Sequence, residues 1–302
     1  MKIPLGMSLP HRSPDPIDMT AVREVAQRAD ALGFRDLWVT ENAVDHVFSF
    51  DPAVVLTYAA AVTTRIRLGV SVSVLPVRNP IHVAHQVASL DYVSGGRAIL
   101  GAGLGREHHY TEFQVPTERR VRRFKEGIEL IKALWTETQV TYRGDFFRLE
   151  GGTMVLKPVQ KPYPPIWLGG DHPDAVGRAA TVADGWMGSG GSSRATFARC
   201  VPILREALEK AGRDAATFPI SKRVFMSVHE RPEQAREELN RWFTVVYRNP
   251  AGTDASGVHG TPEQVKERLE ELVASGANHL LLNPVCRYAE QVEALAAVVG
   301  LS

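Results

Sequence analysis

The chain has 302 residues, is 44% hydrophobic and carries a net charge of +1. That is enough apolar material for a large core, and too little net charge for bulk electrostatic capture by nucleic acid or an anionic membrane. Cys200 and Cys286 are the only cysteines, which excludes a disulfide framework and a CxxC metal site. With no basic-flanked apolar leader and no apolar run of bilayer length, the expectation is a soluble cytoplasmic protein without nucleic-acid or membrane partners.

In chain order, residues 3–9 read as a strand, and the stripe of Val22, Val25, Ala26, Ala29 and Leu32 predicts a helix over 18–32, closed by Gly33. Residues 37–40 form a second strand; a loop carrying Asp45 and His46 follows, and Asp51-Pro52 opens a helix to about residue 63. The β-branched run 68–74 is a third strand, Asn79-Pro80 an N-cap with proline at the first helical position, and residues 97–103 restart extended structure after Gly95-Gly96. Residues 67–105 therefore predict a βαβ unit with parallel strands. Val121, Phe124, Ile128, Ile131 and Leu134 predict a helix over 117–135 with a charged outer face. Residues 139–165 change character, reading as a hairpin with a proline-rich return, an insertion in the middle third of the chain. The alternation then resumes with strands at 166–170, 185–187, 220–228 and 279–282 and helices at 173–183, 194–211, 233–247, 262–275 and 289–299.

About eight strands, each followed by a helix and undivided by any linker, predict one α/β domain over 1–302, a (β/α)8 TIM barrel with the 139–165 insertion. An open doubly wound sheet is the alternative, but the run Gly101, Gly103, Gly105 falls on the fourth strand, not in a first βα turn, and has the wrong spacing for a dinucleotide fingerprint. In a barrel the functional face lies at the carboxyl ends of the strands. That selects residues 8–12, 41–46, 74–78, 103–109, 169–174, 189–191 and 283–287.

Among these, Asp45-His46 is the candidate acid–base pair, since histidine titrates near neutrality and a carboxylate can orient it; an exposed loop pair is the other reading. His108-His109 with Glu107 and Glu112 lacks metal-ligand spacing, so no metal is expected. No GxSxG elbow or P-loop lysine motif supports acyl transfer or nucleotide hydrolysis. Arg119, Arg120, Arg122 and Arg123 read as a solvated helix face or as a dock for an anionic tail. Gly169-Gly170 and Ser189-Gly190-Gly191 precede helices, and their backbone N–H groups are candidates for holding a phosphate.

Several stretches carry a family resemblance: Val-Thr-Glu-Asn-Ala-Val-Asp-His at 39–46, Leu-Gly-Val-Ser-Val-Ser-Val-Leu-Pro-Val-Arg-Asn-Pro at 68–80, Ser-Gly-Gly-Arg-Ala-Ile-Leu-Gly-Ala-Gly-Leu-Gly at 94–105, the proline-rich run into Trp-Leu-Gly-Gly at 157–170, and Ala-Asp-Gly-Trp at 183–186. In this order they resemble the bacterial luciferase-like superfamily, TIM barrels that use FMN or the deazaflavin coenzyme F-420. The chain is more similar to the F-420 branch. The resemblance implies hydride transfer between F-420 and a small organic substrate, with His46 moving the coupled proton and Asp45 contacting the cofactor. It implies a non-proline cis peptide at Ser71-Val72 behind the ring and further cofactor contacts at Val74, Leu104, Gly105 and His109. Gly169, Gly170, Ser189, Gly190 and Gly191 take the phosphate positions, and a homodimer is implied. Where the sugar-phosphate dehydrogenases of the branch carry a catalytic glutamate, this chain has Arg106, with Glu107 one place later, so that substrate is not carried over. An FMN-dependent monooxygenase and a non-catalytic flavin-binding barrel are the alternatives.

Overall fold

A computed structural model describes residues 1–301. Eight short, largely buried segments form parallel strands: β1 (Leu5–Ser8), β2 (Asp36–Val39), β3 (Arg67–Val70), β4 (Ala98–Gly103), β5 (Ile166–Gly169), β6 (Gly185–Gly188), β7 (Ile220–Val228) and β8 (His279–Pro284). Each pairs with the next, β8 pairs back to β1, and β4 pairs with β5 at Leu100–Ile166 and Ala102–Leu168, so the sheet closes. This is the expected TIM barrel. Closure leaves no exposed edge, and inward side chains of alternate strands fill the interior.

The helices follow their local signals. Asp51, Asn79 and Thr261 accept backbone N–H groups at helix starts with proline just inside, and Thr261 with Gln264 completes a capping box. Gly95, at φ 70°, ends the helix Pro80–Ser94 in the left-handed region, where glycine carries no Cβ penalty.

Four segments depart from the sequence-based expectation. The third strand, expected to run unbroken over 68–74, is interrupted: β3 stops at Val70, Ser73–Val74 rejoins the sheet beside β4, and between them the peptide Ser71–Val72 is cis, as the resemblance implies. The helix expected from 117 starts at Arg120, because Arg119 takes a left-handed φ of 55°, and a separate short helix Glu107–Glu112 precedes it. Between the two expected helices after β7, Pro232–Val246 and Pro262–Ala274, an extra strand Val258–Gly260 pairs with the end of β7. Finally, Arg12–Ser13 and Phe48–Ser49 form a small antiparallel pair. The hairpin of the insertion runs Val140–Arg143 and Arg148–Gly152 and makes its own two-stranded sheet outside the barrel.

Candidate active site

A cavity of about 880 Å³ opens at the carboxyl ends of the strands, and the segments at the ends of all eight contribute to its wall. His46, Asp45, Ser71, Val72, Val74, Leu104, Gly105, His109, Gly169, Gly170, Ser189 and Gly190 all line it. Gly191 does not; its N–H donates to the Ser189 hydroxyl at 3.3 Å.

The interrupted third strand shapes one wall. Val72 projects from the cis peptide toward the glycines of two neighbouring strands. A Cβ on Gly103 would come within 2.5 Å of a Val72 methyl, and one on Gly169 within 2.9 Å. Val72 therefore needs glycine on both sides, and the wall it forms carries no other side chain at those two points. That surface suits one face of a planar ring.

Glu41 fixes the turn below. Its carboxylate accepts the Ser73 hydroxyl at 2.8 Å, the Val74 N–H at 2.9 Å and Arg78 Nε at 2.5 Å. Arg12 holds Asp45 through two contacts, Nε at 2.6 Å and Nη2 at 3.2 Å, and Asp45 also accepts the His46 N–H at 2.8 Å. With its side chain 6% exposed, Asp45 lines the cavity while bonded to Arg12 and His46. His46 is exposed; Nε2 donates to the Val245 carbonyl at 2.8 Å, and Nδ1 lies 3.2 Å from Asp45. A carbonyl and a carboxylate both only accept, so the ring satisfies both partners only with a proton on each nitrogen.

At the glycine-rich loops the expected phosphate cradle is only partly open. The Asp171 carboxylate accepts the Ser189 N–H at 3.1 Å, occupying one amide that a phosphate would use. Lys222, pointing outward from β7, donates to the Ser192 carbonyl at 2.9 Å and to that of Ser189, pinning the loop from behind. Burial pushes its ammonium down to about 8. Arg178, whose guanidinium is also shifted down by burial, is the nearest cation supplied by the following helix to this wall.

Of the arginines near the fourth strand, Arg106 lines the cavity, 5.8 Å from the Tyr247 ring. Arg119 is paired with Asp145, Arg120 lies 5.8 Å from the Tyr110 ring, and neither reaches the cavity wall; nor does Glu107. The hairpin covers part of the face on which Arg119, Arg120, Arg122 and Arg123 read as a dock for an anionic tail: Asp145 pairs with Arg119, and Phe146 lies against Arg119 and Arg123.

Sequence reasoning did not single out His11, Arg223, Phe225, Trp242 and Tyr247, all of which line the cavity. His11 lay within a selected strand-end stretch. For Arg223 the available signal was Lys222-Arg223, two adjacent cations inside an otherwise strand-like run, one of which must face the barrel interior. The aromatic residues lie on β7 and the helix after it, with spacing like that of any packed core.

The profile of the family described as luciferase-like monooxygenase matches residues 3–251. An F-420-dependent glucose-6-phosphate dehydrogenase of Kineococcus radiotolerans is 31% identical over 228 residues, covering 72% of this chain and 67% of the relative. Among solved structures, the monooxygenase RslO1 of Streptomyces bottropensis superposes with a TM-score of 0.86 at 23% identity, over 98% of each chain. An F-420-dependent secondary alcohol dehydrogenase in complex with an F-420–acetone adduct superposes with a TM-score of 0.86 at 20% identity, over 99% of each chain. At such identities the superpositions speak for the fold, and the profile match over most of the chain for the family. The chain belongs to the luciferase-like monooxygenase family.

Proposed function

We propose that this protein is an oxidoreductase that uses coenzyme F-420 to move a hydride to or from a small organic substrate in the 880 Å³ cavity. The observation that carries the reading is the Val72 wall: a cis-linked bulge seated between the glycines of β4 and β5, where a planar tricycle has a face to lie against. Gly105, Leu104 and His109 would border it from β4, and Gly170 and Gly190 from β5 and β6. When bound, the deazaflavin supplies a carbon that accepts or returns a hydride, leaving the protein to position the partner and handle the proton.

His46 is the residue to which we assign that proton. Its Nε2–H is held on the Val245 carbonyl, and a substrate oxygen taking the place of that carbonyl would meet the same donor. Asp45, clamped by Arg12, fixes the ring from the other nitrogen. Arg106 has no carboxylate partner among the described residues and stands at the cavity lining, where it is available to the anionic tail of the cofactor.

Titration of the cofactor-free protein with F-420 and with FMN, followed by absorbance, tests the cofactor. F-420 should bind more tightly, and less tightly as ionic strength rises. Micromolar FMN binding without measurable F-420 binding would favour the monooxygenase alternative instead. Once a substrate is found by screening, His46→Ala should keep F-420 affinity while turnover falls at least about 100-fold. Turnover within about threefold of wild type would remove His46 from the proton's path.

A further inference from the structure

Of the cavity-lining arginines without a carboxylate partner, only Arg223 is buried. Arg78 neutralises Glu41 and Arg12 neutralises Asp45, but Arg223, at 7% exposure, bonds only neutral oxygens. Its Nε donates to Asn283 Oδ1 at 2.9 Å, Nη2 donates to the same oxygen, and Nη1 reaches the Ser71 carbonyl at 3.3 Å. A guanidinium carries five N–H groups, so one on each terminal nitrogen is left over. Burial pushes Arg223 down to about 10, with Arg12 adding to the effect, which reflects the cost of an uncompensated charge there.

Rings continue the wall from the guanidinium. Arg223 lies 4.8 Å from the Phe225 centroid, Phe225 lies 4.2 Å from Trp242, and Trp242 lies 5.0 Å from Tyr247. All line the cavity. Gly190 lets Phe225 approach, since a Cβ there would come within 2.5 Å of the ring. A buried, anion-less fork beside a cluster of tilted aromatic rings suits an anion that carries a ring.

We propose that Arg223 and the Phe225–Trp242–Tyr247 wall form a substrate subsite for an aromatic carboxylate, the carboxylate taking the two spare N–H groups and the ring lying against the aromatic side chains. That the bound acid is the molecule oxidised or reduced rests on the proposed function; that it binds does not. Arg223 is then a specificity-determining residue.

The test uses cofactor-free protein and calorimetric titration with 2-naphthoate, its neutral isostere 2-naphthamide, and acetate. Wild type should bind 2-naphthoate at least about tenfold more tightly than 2-naphthamide, the scale of a charge-assisted hydrogen bond, and acetate more weakly than 2-naphthoate. Arg223→Met removes the cation, and Asn283→Asp gives it a permanent partner in nearly the same volume. Both should bring the two naphthyl ligands within about threefold of each other, chiefly by weakening 2-naphthoate, since the amide carbonyl loses only a hydrogen bond without the charge. Should Arg223→Met fail to fold, as judged by thermal unfolding, Asn283→Asp decides alone. Equal binding of acid and amide by wild type, or an acid preference that survives either substitution, overturns the proposal. So does a loss of F-420 affinity in Arg223→Met when wild type shows no acid preference, since the guanidinium would then serve the cofactor. Failure of F-420 to bind wild type leaves the naphthoate comparison intact, so the two readings fall separately.

Discussion

His11 donates from Nδ1 to the Leu9 carbonyl at 2.7 Å and accepts at Nε2 from the Thr40 hydroxyl at 2.8 Å, so its neutral ring is fully satisfied. A proton on Nε2 would face a buried site already holding Arg223 and Arg12. Burial first, and those cations next, push the imidazole down to about 3. The unfolded chain therefore binds a proton below about pH 6.5 that the folded chain refuses. Stability attributable to His11 is complete above that pH and is lost as pH falls toward the folded value. The expected slope is up to about 1.4 kcal/mol per pH unit between roughly pH 6 and 4.5. Urea unfolding across that range should show it, and His11→Asn should flatten it; an unchanged slope in the variant would contradict this account. The stretch Ser8–Arg12 was legible as a strand end, but not the division of labour within it. Whether His11 turns inward and Arg12 toward Asp45 depends on the path the chain takes after β1, which adjacent residues do not reveal.

Residues 139–165 read correctly as a hairpin and a proline-rich return because local signals, Tyr142 and Phe146-Phe147 flanking Gly144-Asp145, decide such elements. What anchors it was hidden, since Glu126 belongs to a run of charges that looks like a solvated helix face. In the structure Glu126 is fully buried and accepts the Phe146 N–H at 2.8 Å, the Asp145 N–H at 3.0 Å and Arg122 Nε at 2.8 Å. Burial alone would raise its carboxyl, but these donors win and hold it below the usual range. Glu126→Ala leaves two backbone donors without partners and should cost about 2–3 kcal/mol. Hydrogen exchange should speed first at Asp145 and Phe146, with the barrel strands still protected. Uniform acceleration throughout the barrel would show that the hairpin and barrel unfold as one unit.

Across the whole molecule, the barrel divides its polar interior by depth. Arg223 and Asn283 face the open cavity, whereas Ser221 and His279 on the same two strands meet Asp36 of β2 away from it, all three buried. Ser221 Oγ lies 2.7 Å from His279 Nδ1, and His279 Nε2 lies 3.1 Å from Asp36, which also accepts the Trp38 indole N–H. A serine, histidine and aspartate in sequence of contact resemble a hydrolytic triad, yet all three are at most 2% exposed and no substrate could approach. The group is structural: it satisfies polar atoms under Trp38 and Trp167, whose rings are 5.2 Å apart. Eight strands and their order were legible because each unit carries its own periodicity; this layer was not, because Asp36, Ser221 and His279 are far apart in the chain and meet only on closure. Burial opposes the charge on Asp36, and His279 and Trp38 outweigh it, keeping the carboxyl below its usual range. Asp36→Asn keeps the shape but removes the charge from a buried pair, so it should destabilise by about 3 kcal/mol. Because the layer lies below the cavity, F-420 affinity and the 2-naphthoate preference of the folded variant should match wild type. Denaturant midpoints alongside ligand titrations check both halves, and a variant with unaltered stability but weakened ligand binding would mean that the barrel's interior layers are coupled rather than divided.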